Sequence, residues 1–579
     1  MRVRALIVAL VIMACTGCAT IPISGPVESK PRQSTDSGPG GITIIPEPPP
    51  NGASQTMIIR GFLTAMASFG SDYATAREYL TDEAASVWAP RESDVLIYAS
   101  GTVPRVSGSQ VTMSGSVIGS LRPDGSFVGS EEPVWNHDFG MVKEEGEWRI
   151  SNPPKGLALS QYMFSQSFVR IDAYFFPASD QVLVPDPRYV QRGAWDITTA
   201  ARIAVAGPSP WMREIIDTSS RQAIYLSDDV TLSGLGTAEI PLSDGAKDLD
   251  IEQATRLAIE IAATMRNIPG VERIRLLSNG NHLELNGASP DLSIPVGIAD
   301  SYDVSGATRA QNIYMVQDGH IISLANGIPL PVDGEWGTAT RNIQSFAVSQ
   351  VTNQIAAVVD GGLYVGRIVD PPKHMLSEEG LLQPQFDSRG QLWVVAASAE
   401  HINLTMIRQD RQVSVDTSAL ETMRIRGFQI APDGHRMILL REVELPSEGS
   451  RLELGIALIS YRDGLPYSIG SWKSIRLTWE GSMFRSIIDM SWMGPSSLLV
   501  LGSPGGSPAG VFFTDIDGLG IEEWGLPQAW NPVQMAARAT DTGPQIMVLD
   551  SEGRVWSYQD GYHWSHPIVT PITSIAFPA

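Results

Sequence analysis

Apolar residues recur along this chain with three different periods, and each change of period marks a change of structure. Ala5 to Met13 (ALIVALVIM) is an unbroken apolar run behind Arg2 and Arg4, too short to cross a bilayer as a mature helix. Ile58, Ile59, Phe62, Leu63, Met66 and Phe69 then follow at helical spacing, and a second short helix is expected around Tyr73–Leu80. Alternating strands come next in "VTMSGSVIGSL", the turn "RPDGS" and "WNHDFGMVKEEGEWRIS", with Glu144-Glu145-Gly146-Glu147 as a hairpin tip. Together these predict a small cone-shaped α+β domain over residues 56–165.

A second α+β domain is expected over 166–300. "FVRIDAYFF" alternates as a strand and "DQVLVPDPRYV" continues it as a hairpin. The best helix of the chain lies near Ile251–Arg266. Asp250 and Gln253 offer a capping box, Ala254, Leu257, Ala258, Ile261 and Met265 form its apolar stripe, and Pro269-Gly270 stops it. "VERIRLL", the turn Asn279-Gly280 and "HLELNG" then read as a hairpin.

From about residue 305 to 579 the pattern is a repeat. "SFAVSQVTNQIAAVV", "PQFDSRGQLWVVA", "FQIAPDGHRMILL" and "MSWMGPSSLLVL" each pair two apolar strands across a polar turn. Aligning Val348, Phe386, Ile430, Trp492, Met535 and Phe577 gives steps of about 40 residues, with one of about 60 where an insertion falls near 442–485. Such units hold four short strands, so the expected architecture is a β-propeller of about six blades. The final "TSIAFPA" supplies an inner strand and nothing more, and the strands at 312–340 lack one, so the two ends should pair and close the ring. Nine of the 14 tryptophans lie between Trp336 and Trp564, as packing between blades would require. A linear run of β-sandwiches would share the short, evenly spaced strands. The fold class is therefore two α+β modules followed by an all-β propeller.

Composition narrows the setting. The chain has 579 residues, 43% hydrophobic and 18% charged, with a net charge of −22, which argues against nucleic acid and against electrostatic adhesion to anionic surfaces. Small residues after the apolar run lead into Cys18, preceded by Thr16-Gly17. This is a bacterial lipoprotein signal, with residues 1–17 removed and a diacylglyceryl group on the Cys18 thiol. Cys15, the other cysteine, would leave with the signal. An ordinary cleaved signal peptide or a short membrane anchor is the alternative. Residues 18–55 are rich in Pro, Gly and Ser and read as an extended tether.

Candidate chemistry is sparse. No HExxH, GxSxG, Walker loop or CxxC occurs. His563 and His566 are spaced to lie on opposite faces of a strand, "GSPGGSPAG" (502–510) lacks the Lys of a phosphate loop, and "DIDG" (515–518) reads as a turn. Hydrolytic propellers hold a metal in the channel. Here the residues just before the aligned positions are Ala347, Gln385, Gln429, Ser491, Gln534 and Ala576, all uncharged, with Asp387 and Asp489 nearby at different levels. No catalytic, cofactor-binding or metal site is assigned, and the chain is read as a non-enzyme. The alternative is a cell-wall hydrolase or lactonase-like enzyme built on the propeller.

These pieces resemble the actinobacterial LpqB lipoproteins. "GCATIPISGPVES" is similar to their lipidation motif and SGPV segment, although Cys15 stands where Leu is usual three residues before the modified cysteine. "AYFFPASDQVLVPDPRYV", "ARIAVAGPSPWMREII" and "IEQATRLAIEIAATMRNIPGVERIRLLSNG" resemble a GerMN domain, and the first domain is similar to NTF2-like modules. The resemblance implies an acylated (palmitate-bearing) lipoprotein on the extracytoplasmic face of the cell membrane. It also implies contact with the sensor kinase of an MtrA–MtrB-type two-component pair, in envelope homeostasis and cell division. Cys18 alone carries over as a functional residue, and no cofactor is implied.

Overall fold

The computed structural model describes residues 46–579 apart from 69–70, 109, 131–133, 304–311, 326, 399–400, 446–448, 471, 527–530, 562 and 566–570. Cys18, the expected signal and most of the expected tether lie outside the described residues. The described residues belong to one compact unit.

In the first domain the helix Gln55–Met66 is capped by Ser54, whose Oγ accepts from the Met57 N–H. It buries Ile58, Ile59, Phe62 and Met66. Instead of one helix over 73–80 there are two short ones, Ala74–Arg77 and Asp82–Val87. Left-handed backbone at Asp72 and Tyr73 sets the first apart, and Thr81 caps the second. The long strand Gln110–Leu121 organises the sheet, pairing with Val95–Tyr98, Arg105–Ser107, Phe127–Gly129 and Val134–Asp138. The packed chain also begins earlier than expected. Ala53 is buried, the Gly52 N–H donates to Glu147 Oε2 at 2.8 Å, and the Tyr79 hydroxyl donates to the Glu47 carbonyl at 2.8 Å. The last residues of the expected tether are strapped to the domain by backbone groups, which composition does not reveal.

The middle domain is an antiparallel ribbon, Phe168–Phe175 with Val184–Gln191, and a small five-stranded sheet, with the helix Ile251–Met265 between them. Both arms of the capping box form: the Gln253 N–H donates to Asp250 Oδ1 at 2.8 Å, and the Asp250 N–H to Gln253 Oε1 at 3.1 Å. Ala254, Leu257, Ala258, Ile261 and Met265 are all buried. Asn279 and Gly280 both take positive φ, as a two-residue hairpin of this hand needs. The strand after them keeps its ladder only over Asn281–His282, shorter than "HLELNG" suggested.

Residues 312–579 fold as a propeller of six sheets. Their inner strands are Ile572–Ala576, Ile343–Ser349, Gln385–Phe386, Arg424–Ile430, Ser482–Trp492 and Pro532–Thr540, in blades one to six. The last strand pairs with Tyr314–Gln317 from the start of the domain, Tyr314 opposite Ala576, and so completes blade one and closes the ring. The insertion near 442–485 includes a long hairpin of blade four, Arg436–Leu445 with Gly449–Arg462. Arg441 pairs with Glu453 across it, and Arg424 with Glu444 and Arg426 with Glu442 tie it to the inner strand. Blade one ends in the exposed strand Ile328–Pro331. The Val332 N–H points inward to Ile321, so by alternation Pro329 and Pro331 face the free edge, where they remove the donors a further strand would need.

Candidate functional site

The six inner strands surround a channel cavity of about 240 Å³, lined by Ala347, Gln385, Gln429, Ser491 and Ala576 of the expected set, together with Asp489. Several polar side chains of this region are committed to neighbouring blades. Gln429 Nε2 donates to the Met490 carbonyl at 2.9 Å while its Oε1 accepts from the Trp492 N–H at 3.3 Å. Gln534 does the same with Ile575, at 3.1 and 2.9 Å. Gln383 donates to the Phe346 carbonyl at 3.1 Å. Inner strands of adjacent blades form no ladder with each other, so these amides stand in for the missing peptide partners. The channel is a set of inter-blade staples.

Asp489 belongs to the same set. Its Oδ2 accepts from the Met535 N–H of the next blade and its Oδ1 from the Met490 N–H, both at 2.8 Å. Burial pushes its carboxyl up to about 6, against the two N–H donors. The ordinary value is 3.8, so the folded chain holds this proton more tightly than the unfolded one. The stability it contributes is fully present below that ordinary value and is lost as pH rises through about 6. Asp489→Asn is therefore expected to flatten the melting-temperature profile between about pH 4 and 7. An unchanged profile would show that this carboxyl does not titrate there.

Asp387 is a turn clamp. It sits 4% exposed, with Oδ1 accepting from the Arg389 N–H at 3.0 Å and the Gln391 N–H at 2.8 Å, and Oδ2 from Trp393 Nε1 at 3.0 Å. "DSEGRVW" at 550–556 repeats "DSRGQLW" at 387–393 and repeats the bonds. Asp550 Oδ1 accepts from Glu552 and Arg554 N–H, and Oδ2 from Trp556 Nε1 at 3.1 Å. Both carboxylates spend their lone pairs on their own turns and have little left for a cation. Among the described residues no three His, Cys, Asp or Glu side chains are grouped to hold a metal.

The richest polar site joins the domains, and it is built on the ribbon 168–191. Arg170 Nη2 donates to Asp172 Oδ1 at 2.9 Å and to the Ser496 carbonyl of blade five at 3.1 Å, and Nη1 lies 3.5 Å from Asp515. Ser496 Oγ returns a bond to Asp172 at 2.6 Å. Burial pushes the Asp515 carboxyl up to about 7 against the pull of Arg170, with Asp517 and Asp172 adding to the rise. Tyr189 touches all three domains. Its ring packs against Phe164, its N–H donates to the Gly125 carbonyl at 2.8 Å, and its hydroxyl donates to Asp517 at 2.9 Å. Gly125 has φ +80°, and a Cβ there would fall 2.9 Å from the Tyr189 carbonyl, so this approach requires glycine. At the ribbon's tip Asp180 pairs with Arg389 and accepts from His435 Nε2 at 3.0 Å, both in propeller turns.

The order of these three domains has a match. Residues 48–165 fit the family model of the lipoprotein LpqB N-terminal domain, 172–284 that of a sporulation and spore germination domain, and 319–576 that of the LpqB beta-propeller. The chain belongs to the LpqB family. Relatives named lipoprotein LpqB include those of Cutibacterium acnes (27% identical, 97% of each chain covered) and Streptomyces coelicolor (27%, covering 98% of this chain and 96% of that one). The Mycobacterium bovis protein is 24% identical over 87% of this chain and 86% of its own. The crystal structure of TolB from Acinetobacter baumannii overlaps with a TM-score of 0.32 at 13% identity, covering 54% of this chain and 84% of that one.

In this LpqB-family chain the remaining residues singled out by sequence serve as follows. His563 is exposed and pairs with Asp560 at 3.0 Å, and His566 lies outside the described residues. The segment 502–510 is strand through Pro504 and resumes as strand at Gly510, so its loop is shorter than expected. "DIDG" is a turn, with the Leu519 N–H donating to Asp517 Oδ1, and it is also the propeller's dock for Tyr189 and Arg170. The sequence held a signal for this dock: Arg170 and Asp172 are charged positions in a strand whose neighbours are apolar.

Proposed function

We propose that this LpqB-family chain is a lipid-anchored accessory protein on the extracytoplasmic face of the cell membrane. It binds the extracytoplasmic domain of a two-component sensor kinase of the MtrA–MtrB type and so influences envelope homeostasis and cell division. Cys18 carries the anchor: a diacylglyceryl group supplies two chains, enough for stable attachment where one is marginal. Among the described residues no helix is long and apolar enough to cross a membrane, in keeping with anchoring by lipid.

One observation supports recognition over catalysis. Asp387, Asp489, Gln383 and Gln429 at the propeller channel are spent on turns and inter-blade bonds, while Arg170 and Asp172 between domains are spent on holding the modules together. What remains for function is surface. Photocrosslinking from propeller and first-domain positions in native membranes is expected to capture the kinase ectodomain. Loss of that crosslink on Cys18→Ser, with the chain released from membranes, would fit the reading. Capture unaffected by kinase deletion, or an intact unacylated N-terminus, would refute it.

A further inference from the structure

A cleft of about 460 Å³ opens between blades two and three, and its lining is rich in donors. Arg367 and Arg408 are the last residues of the third strands of these two blades, so the propeller repeat places them at equivalent corners. Both are exposed, and neither forms an ion pair with a described residue. Arg389 enters the same cleft from the turn clamped by Asp387 while also pairing with Asp180. Asp410 is the one carboxylate in the lining.

Two further groups in the cleft lack partners. Gln391 is 8% exposed, and its side-chain amide makes no hydrogen bond with a described residue. Thr352 Oγ1 is buried with no hydrogen-bond partner among the described residues. Both line the cavity. Buried polar groups are normally satisfied; the Thr352 hydroxyl is left open, and the Gln391 amide faces the cleft without a partner among the described residues. An amide, a hydroxyl and unpaired guanidinium groups around one space form an incomplete set of donors.

The blade-five corner shows how such positions are used. There Asp515 ends the third strand and is engaged by Arg170 of the middle domain. In blades two and three the corner charge is reversed, and no described residue neutralises it. A carboxylate brings one charge and two oxygens, whereas a phosphoryl group brings up to two charges and three oxygens, which better suits several guanidinium forks. The net charge of −22 disfavours an extended polyanion and leaves a compact one admissible.

We propose that the cleft between blades two and three binds a compact phosphorylated ligand, its phosphoryl oxygens held by Arg367, Arg408 and Gln391. The test uses the full chain in uncharged detergent. It is titrated calorimetrically with inorganic pyrophosphate and with glycerol 3-phosphate, and sedimented with phosphatidylglycerol or phosphatidylcholine vesicles. The double variant Arg367→Ala/Arg408→Ala should melt as the wild type does, since both side chains are exposed, and should bind at least about tenfold more weakly. Binding of the soluble phosphates, weakened in the variant, supports a free ligand. Sedimentation with phosphatidylglycerol alone, lost in the variant, supports a lipid headgroup as the source. No binding of any probe, or equal binding by wild type and variant, overturns the proposal.

Discussion

Asp387→Ala is expected to destabilise the chain by about 3–5 kcal/mol, the largest effect of any single substitution at the residues named in the sequence. The carboxylate accepts three hydrogen bonds inside blade three, and alanine leaves the Trp393 ring N–H and the Gln391 and Arg389 N–H groups without their acceptor. Asp387→Asn should fall between the two, since one amide oxygen replaces two carboxylate oxygens. Asp550→Ala provides the internal comparison, because the same turn recurs with the same bonds. Denaturant midpoints at constant slope measure the loss. A cost under about 1 kcal/mol at Asp387 would mean that water replaces the carboxylate and the turn stands without it.

The second large effect is expected at Arg170. Arg170→Ala removes the cation shared by Asp172 and Asp515 and leaves the Ser496 carbonyl unpaired. Stranding buried acids costs about 3–5 kcal/mol in comparable cases, and uptake of a proton by Asp515 should limit the loss here to about 2–4 kcal/mol. Cleavage by protease in the ribbon's tip, between Phe175 and Val184, should become faster as the middle domain loosens from blade five. Adding Asp515→Asn to Arg170→Met should restore part of the loss, because the cation and one acid leave together. If the double variant is no better than the single one, Arg170 acts through something other than this charge cluster.

These two residues differ in how visible they are in sequence. Asp387 sits in a turn that recurs at Asp550 with the same glycine and tryptophan spacing, and repetition exposes it. Repetition also reveals the blades and the closure of the ring, because the final inner strand lacks its partners until it meets Tyr314. The helix Ile251–Met265 is legible because its caps and stripe are local. Arg170 and Tyr189 are harder to place. Their partners, Ser496, Asp515 and Asp517, lie more than three hundred residues away, and no local period encodes such a pairing. The channel glutamines are half legible: their lack of charge is plain, but their role as inter-blade staples depends on strands brought together by the ring. The early start of the packed chain is hidden for a related reason, since Glu47 and Gly52 contribute backbone groups and no pattern of side chains.

The central claim is that the ribbon 168–191 joins the three domains into one body that presents its surfaces together. Scanning calorimetry of the full chain tests it most directly. The account predicts one cooperative transition for the wild type, which Arg170→Ala splits into an earlier and a later component. Separate wild-type transitions for the propeller and the amino-terminal modules would contradict it.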